Sequence, residues 1–445
     1  MEKEKSLLIK NGIVVTLGDE NKVLYGHAVL CEGKFIKKIA PQKSFKGKYD
    51  KVIDAMGQVV LPGFINAHMH FYSTMVRGLG KAAPSANFQE VLENLWWRLD
   101  KKLTLDDCYY SALLPLIDAV RHGTTTLIDH HASPFAVTGS LDVIAKAVKR
   151  SGLRASLCYE LSDRDGDKIA QQGIDENTAF IKRCQKEDDD QLRALFGLHA
   201  SFTISDRTLE KASEAGRSLD AGFHVHTAEA RNDQDYNETH FGMRVVERFH
   251  KYGILGTKSL AAHCVHVNEK EMELLAETGT AVAHNPQSNM NNAVGVADII
   301  RMANKGILVG LGTDAMTVNM LEELRVALWA QHHLHSNPSC GFMEALSTLA
   351  CNNAKIANRY WDGRLGALRE GGFADIVLID YHPPTPFDGN TFLGHLCFGL
   401  SQATADTTIA SGTVLMEKKK LKLGIDEPEV AAKSQELAKK LWARF

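Results

Sequence analysis

The chain is predicted to be an α/β protein, a (β/α)8 barrel of the TIM type with a small β-sandwich subdomain formed by its N- and C-terminal segments. Eight apolar runs of strand length recur between residues 63 and 314, separated by segments with helical apolar spacing. Short apolar runs broken by turn signals fill residues 6 to 60 and return after residue 360. At 445 residues and 44% hydrophobic content the chain exceeds one ordinary domain and suits a large barrel with an appendage.

Residues 1–60 form the first part of the subdomain. Leu7-Leu-Ile, Gly12-Ile-Val-Val-Thr-Leu and His27-Ala-Val-Leu-Cys are strand lengths, with Asn11-Gly12 and Glu32-Gly33 as tight turns. Residues 361–424 supply the second part through Gly366–Gly372, Asp375–Asp380 and Thr408–Met416. Neither part has enough strands for a core of its own, so both are expected in one sheet-on-sheet unit. Residues 61–360 are the barrel, with candidate strands Gly63–His70, Thr124–His130, Leu153–Leu161, Leu192–Ser201, Gly222–Glu229, Ser259–Cys264, Thr280–Asn285 and Ile307–Asp314. Ser205-Asp-Arg-Thr-Leu-Glu and Asn268-Glu-Lys-Glu-Met-Glu read as helix starts. Tyr72–Leu103 reads as a long loop containing Asn94-Leu-Trp-Trp-Arg-Leu. It is either a lid or substrate wall, or a dimer contact anchored by Trp96 and Trp97. Residues 425–445 end the chain in an amphipathic helix, and the polar run Lys186–Gln191 reads as a solvated turn.

A formal net charge of −3 gives no electrostatic case for nucleic acid or an acidic membrane surface. Eight scattered cysteines without a Cys-x-x-Cys pair suggest neither a disulfide framework nor a thiolate metal site. Met1-Glu-Lys-Glu-Lys lacks a signal-peptide core, and no run reaches the ~18 apolar residues of a membrane span. A soluble cytoplasmic protein is expected, with a homodimer as the prior for its assembly.

The stretch Val60–Tyr72 reads as a buried strand ending in His68-Met-His70. Side chains two apart on a strand share a side, so both imidazoles can aim at one point and bind a metal, although two of 19 histidines also fall close by chance. Other strand ends carry His226, Glu229, His263 and Asp314, and barrel chemistry sits at C-terminal strand ends. These six groups are expected at one mouth.

Val60-Leu-Pro-Gly-Phe-Ile-Asn-Ala-His-Met-His70, His226-Thr-Ala-Glu229, Ala262-His-Cys-Val-His266, His284-Asn-Pro-Gln-Ser-Asn289 and Leu311-Gly-Thr-Asp314 together resemble the amidohydrolase superfamily, in its mononuclear branch of deaminases and triazine hydrolases. Asn94–Asp100, Ile128–Pro134 and Ser288–Asn292 are similar, within that branch, to the SsnA-type aminohydrolases. The resemblance implies one divalent ion per chain, zinc first and iron second, held by His68, His70, His226 and Asp314. Dinuclear relatives use a strand-four lysine, which Gly197-Leu-His-Ala-Ser-Phe lacks. A hydroxide generated on the ion would attack an sp² carbon, with Asp314 taking the proton, His263 orienting the hydroxide or the oxyanion, and Glu229 protonating a ring nitrogen. Glu229 also has a reading as a helix cap.

Deamination of a purine, pyrimidine or related nitrogen heterocycle is the expected reaction, against cyclic-amide ring opening or a non-catalytic scaffold. His199 resembles a substrate-holding residue or is a core histidine, and Arg77 resembles a substrate contact or forms a salt bridge. Trp96 stands as a further candidate contact. His284 and Asn289 are expected to shape the seventh loop by bonding toward His263, and His266 to be structural. His130-His131 and His332-His333-x-His335 have no nearby carboxylate and are read as surface residues.

Overall fold

Two parallel sheets carry the chemistry-bearing strands. In the first, Phe64–Met69 (β1), Thr124–Asp129 (β2), Arg154–Leu157 (β3) and Leu192–Ala194 lie side by side in that order. In the second come Phe196–Ala200 (β4), Phe223–Thr227 (β5), Leu260–His263 (β6), Ala281–His284 (β7) and Val309–Leu311 (β8). The sheets meet at both edges: Leu161 bridges Leu198, where the His199 amide donates to Leu161 O at 2.9 Å, and Met69 bridges Asp314, whose amide donates to His68 O at 3.0 Å. The structure, a computed structural model of the chain, describes residues 4–18, 20–187 and 189–445. Parts of the Met1–Lys5 and Lys186–Gln191 stretches read above lie outside the described residues.

The strands are apolar because helices cover them. Leu105–Arg121, capped by Thr104 with Asp107, and Ser140–Ser151 bury Leu113, Leu116, Ile144 and Val148 against β2 and β3. Ser205 and Asn268 cap Asp206–Ser218 and Glu269–Thr278 by accepting from Thr208 N and Glu271 N. Pro62-Gly63 is a switch point. Val59–Pro62 pairs with Ile376–Ile379 in another sheet, and the chain then enters β1 past Gly63, where a Cβ would lie 2.3 Å from Thr125 Oγ1.

The two ends of the chain share a seven-stranded sheet that joins Val23–Leu24, Ile13–Val15 and Val59–Pro62 to Ile376–Ile379, Ala405–Ala410, Thr413–Glu417 and Lys420–Leu421. A four-stranded sheet of Phe35–Pro41, His27–Glu32, Ser6–Lys10 and Lys51–Asp54 packs Leu7, Ile9 and Val29 against its Val60, Ile376 and Ile409.

Three expectations are corrected. Leu192–Ser201 is two strands in different sheets, divided at Leu195: the Leu195 amide still donates to Leu157 O beside β3, whereas the Phe196 amide donates to Gly222 O before β5, and Gly197 passes so close to Tyr159 that a Cβ would meet Tyr159 O at 2.2 Å. Gly366–Gly372 is a turn rather than a strand, held by the Leu368 amide on Thr16 O and the Gly371 amide on Ile36 O. Most of the 72–103 loop is helical: short 3-10 turns at Phe71–Val76, then unbroken helical turns from Phe88 to Lys102 with Asn87 as cap and a wider π turn at Leu92–Trp96. Glu427–Arg444 rests on this region, with Trp442 Nε1 donating to Met75 O. Among the described residues no helix is long and apolar enough to cross a membrane.

Candidate metal centre and active site

Alternation turns His68 and His70 to one side of β1, and β5 does the same with His224 and His226. His130 follows β2, Glu160 lies just beyond β3, His199 belongs to β4, His263 closes β6, and Asp314 lies just beyond β8. All are buried, and all but His224, the second residue of β5, lie toward or just past the C-terminal ends of the strands.

Hydrogen bonds fix the tautomers. His70 Nδ1–H donates to His130 O at 2.6 Å and His226 Nδ1–H to His199 O at 3.0 Å, so both Nε2 atoms carry lone pairs. Those lone pairs face each other at 3.1 Å, and Asp314 Oδ1 stands 3.1 Å from His70 Nε2. His68 Nδ1 is engaged with His224 Nε2 at 2.8 Å, while His68 Nε2 is buried without a hydrogen-bond partner, 3.8 Å from Asp314 Oδ1. Acceptors crowded this closely repel one another, and a cation among them turns the repulsion into coordination. Three imidazoles and a carboxylate fit zinc or iron. Burial holds His68 and His226 neutral, well below the usual histidine range. Burial also opposes charge on His70, but the neighbouring Asp314 outweighs it and raises the ring to about 9, so Nε2, which has a lone pair in the neutral ring, takes up a proton wherever no metal cation holds it. A field that draws a proton to this spot draws a metal cation too.

The neighbouring groups divide the proton work. Burial opposes the Asp314 charge, yet the bond from His70, the charges of His70 and His263, and the Ser288 hydroxyl hold its carboxyl down at about 2. Burial and then the Asp314 charge push Glu229 well up, against the Asn292 amide that donates to it at 3.4 Å, so Glu229 keeps its proton. Asn289 Nδ2 donates to His263 Nδ1 at 2.8 Å, which leaves His263 Nε2–H as the donor. That N–H has no partner and points between Glu229 Oε2 at 3.5 Å and Asp314 Oδ2 at 3.8 Å. One ionised carboxylate, one protonated carboxyl and one free donor therefore surround the same point. The backbone is strained there, with left-handed φ of 73° at His263 and 50° at Asp314.

Residues 59–415 match the amidohydrolase family. This chain belongs to the amidohydrolase family. The amidohydrolase is 32% identical over 423 residues to the 5-methylthioadenosine/S-adenosylhomocysteine deaminase of Dictyoglomus thermophilum, covering 94% of this chain and 96% of that one. It is also 32% identical over 447 residues to the 5'-deoxyadenosine deaminase of Methanosarcina mazei, covering 98% and 99%. An adenosine deaminase from Xanthomonas campestris, solved with bound zinc, superposes with a TM-score of 0.87 at 21% identity over 99% of both chains.

The structure brings His68, His70, His226, Glu229, His263 and Asp314 of the amidohydrolase together. His199, Trp96 and Trp97 line the same pocket with Phe88 and Phe202, so the tryptophans form a wall. Arg77 does not reach the pocket. It is half exposed, 3.5 Å from Asp118, as the salt-bridge alternative has it. Asn289 bonds to His263 as expected, whereas both His284 nitrogens are buried without hydrogen-bond partners. His266 Nε2 contacts Val294 O, a structural role. His130 and His131 are fully buried, contrary to the surface reading. His332, His333 and His335 do sit at an exposed helix end. Three site residues escaped sequence reasoning: His130, His224 and Glu160. His224-Val-His226 repeats the spacing of His68-Met-His70, and Glu160 follows the strand-end rule on β3. Both signals were available.

Proposed function

We propose that this amidohydrolase is a metal-dependent deaminase of a purine, pyrimidine or related nitrogen heterocycle, with one zinc or iron ion held by His68, His70, His226 and Asp314. The observation that carries the reading is the facing pair of lone pairs on His70 Nε2 and His226 Nε2, 3.1 Å apart with both Nδ1 atoms committed to carbonyls. The names of the relatives, deaminases of adenosine derivatives, support a C–N bond as the one cleaved. A single ion accords with Gly197-Leu-His199, which carries no lysine.

A divalent ion held there supplies hydroxide at neutral pH by lowering the pKa of water from about 15.7 toward ~7. Asp314, ionised, accepts the proton that water gives up. Glu229, protonated, donates to the ring nitrogen beside the reacting carbon, then passes the hydroxyl proton of the tetrahedral carbon to the amino group, which departs as ammonia, and the proton held by Asp314 returns to Glu229. His263 Nε2–H donates to the oxygen that gains charge at the tetrahedral carbon. Ser288 holds Asp314 in place, and Asn289 fixes the His263 tautomer. The aromatic wall of Trp96, Trp97 and Phe88 excludes water from the ring.

The reading takes residues 61–360 as a closed (β/α)8 barrel, supported by the bridges at Leu161–Leu198 and Met69–Asp314. Residues 1–60 and 361–424 make the β-sandwich subdomain, and 425–445 the terminal helix. None of the eight cysteines is in a disulfide, which accords with a reducing cytoplasm, and gel filtration is expected to give a homodimer. The decisive experiment counts metal per chain and follows ammonia release from purines and pyrimidines. Glu229→Gln is expected to keep about one ion and lose turnover by roughly 10³-fold. A metal-free wild type, or full activity in the variant, removes the assignment.

A further inference from the structure

Two more acceptors, on His199 and Glu160, stand side by side in the pocket that Glu229 also lines. The Thr203 hydroxyl donates to Ala200 O at 2.9 Å, so its oxygen accepts from His199 Nδ1–H at 2.7 Å, and His199 Nε2 is left with a lone pair. His130 Nε2 lies 3.1 Å from both Leu198 O and His224 O. Carbonyl oxygens only accept, so that nitrogen carries a hydrogen. His130 Nδ1 is 3.1 Å from Glu160 Oε2, with a proton between them. Glu160 Oε1 remains. Among the described residues it makes no hydrogen bond, standing 3.6 Å from His199 Nε2 and 4.0 Å from Arg164 Nη2, which instead donates to Asp100 at 2.8 Å. Glu160 and His199 both line the pocket that contains His70, Glu229 and Asp314.

Two lone pairs turned on one space need hydrogens from whatever enters it. A second cation is poorly served: among the described residues the group around Glu160 also contains His70 and His226, which the proposed ion takes, both His130 nitrogens are committed, and Glu160 Oε1 with His199 Nε2 are too few to hold another. We propose that Glu160 is a specificity-determining residue: with His199 it selects an amino- or oxo-substituted purine or pyrimidine base that presents N–H or NH2 donors on the edge turned away from Glu229. The inference rests on the heterocycle reading above and narrows it. An adenine ring blocked at N9, as in 9-methyladenine, offers only bare ring nitrogens on its remaining edges and would set lone pair against lone pair.

The test compares guanine and isocytosine, which carry such donors, with 9-methyladenine, which does not, on zinc-loaded protein. Wild type is expected to favour a donor-bearing base in kcat/KM. Glu160→Gln keeps the shape but can turn an amide donor to the pocket, so the ratio of donor-bearing to bare-edged substrate is expected to fall at least tenfold, and Glu160→Asp to restore part of it. Equal losses on all substrates mark a purely structural role and overturn the proposal. So does a wild-type preference for 9-methyladenine, or a second bound ion per chain. Calorimetry on Glu229→Gln protein separates this idea from the deaminase reading. Binding of guanine or isocytosine that Glu160→Gln abolishes, without turnover in the wild type, upholds the acceptor pair and removes deamination; binding of none overturns both.

Discussion

Two acceptor pairs in one pocket invite comparison. At the floor, His70 Nε2 and His226 Nε2 stand 3.1 Å apart; on the wall, His199 Nε2 and Glu160 Oε1 stand 3.6 Å apart. Each pair arises because the other nitrogens or oxygens have protein partners. The surroundings differ. The floor adds Asp314 Oδ1 and the unpartnered His68 Nε2, enough acceptors to enclose a cation. The wall adds His130, whose nitrogens are committed, and Arg164, a cation already bound to Asp100, so it suits hydrogen-bond donors. Acceptors left facing one another therefore point to the kind of ligand, and their number tells charge from hydrogen.

The harshest break is at the floor. His70→Ala removes one ligand from the proposed ion and is expected to lower turnover by about 10⁴-fold or more, with elemental analysis showing loss of bound metal. Normal metal content in that variant would mean that His70 is not a ligand and would remove the proposed site. Gentler is the pH profile. Because burial and Asp314 raise Glu229 and so favour its acid form, kcat/KM is expected to fall toward the alkaline side as that proton leaves. Glu229→Gln should erase this limb, and a limb that survives belongs to another group. Smaller again is Ser288→Ala. Its hydroxyl donates to Asp314 outside the proposed coordination sphere, so metal affinity is expected to weaken about 10- to 100-fold while the ion still binds, as a competition assay with a chelator would read.

These contrasts also explain what the sequence disclosed. His68, His70 and His226 were legible because a period of two and a strand end are local signals, and Asp314 because a Gly-Thr-Asp turn closes the last strand run. His130 was misread for a physical reason. The carboxylate it contacts, Glu160, is 30 residues away and arrives only through the pairing of β2 with β3. The helical turns at Phe88–Lys102 were hidden because Leu92, Trp96 and Leu99 keep helical spacing over too short a span to outweigh the Pro and Gly residues before them. The division of Leu192–Ser201 goes with the close approach of Gly197 to Tyr159, a contact between strands that no local pattern encodes.

The smallest expected effect separates likeness from place. Arg77 lies in a segment that suggested a substrate contact, yet its guanidinium pairs with Asp118 at 3.5 Å on a half-exposed surface and lines neither acceptor pair. An exposed pair of this kind contributes about 0–1 kcal/mol, and salt screens it. Arg77→Ala is therefore expected to leave kcat/KM within about twofold and the melting temperature within a few degrees. A tenfold loss confined to KM would mean that the turn after Phe71–Val76 closes over the substrate, carrying Arg77 inward, and would make the wall a moving part.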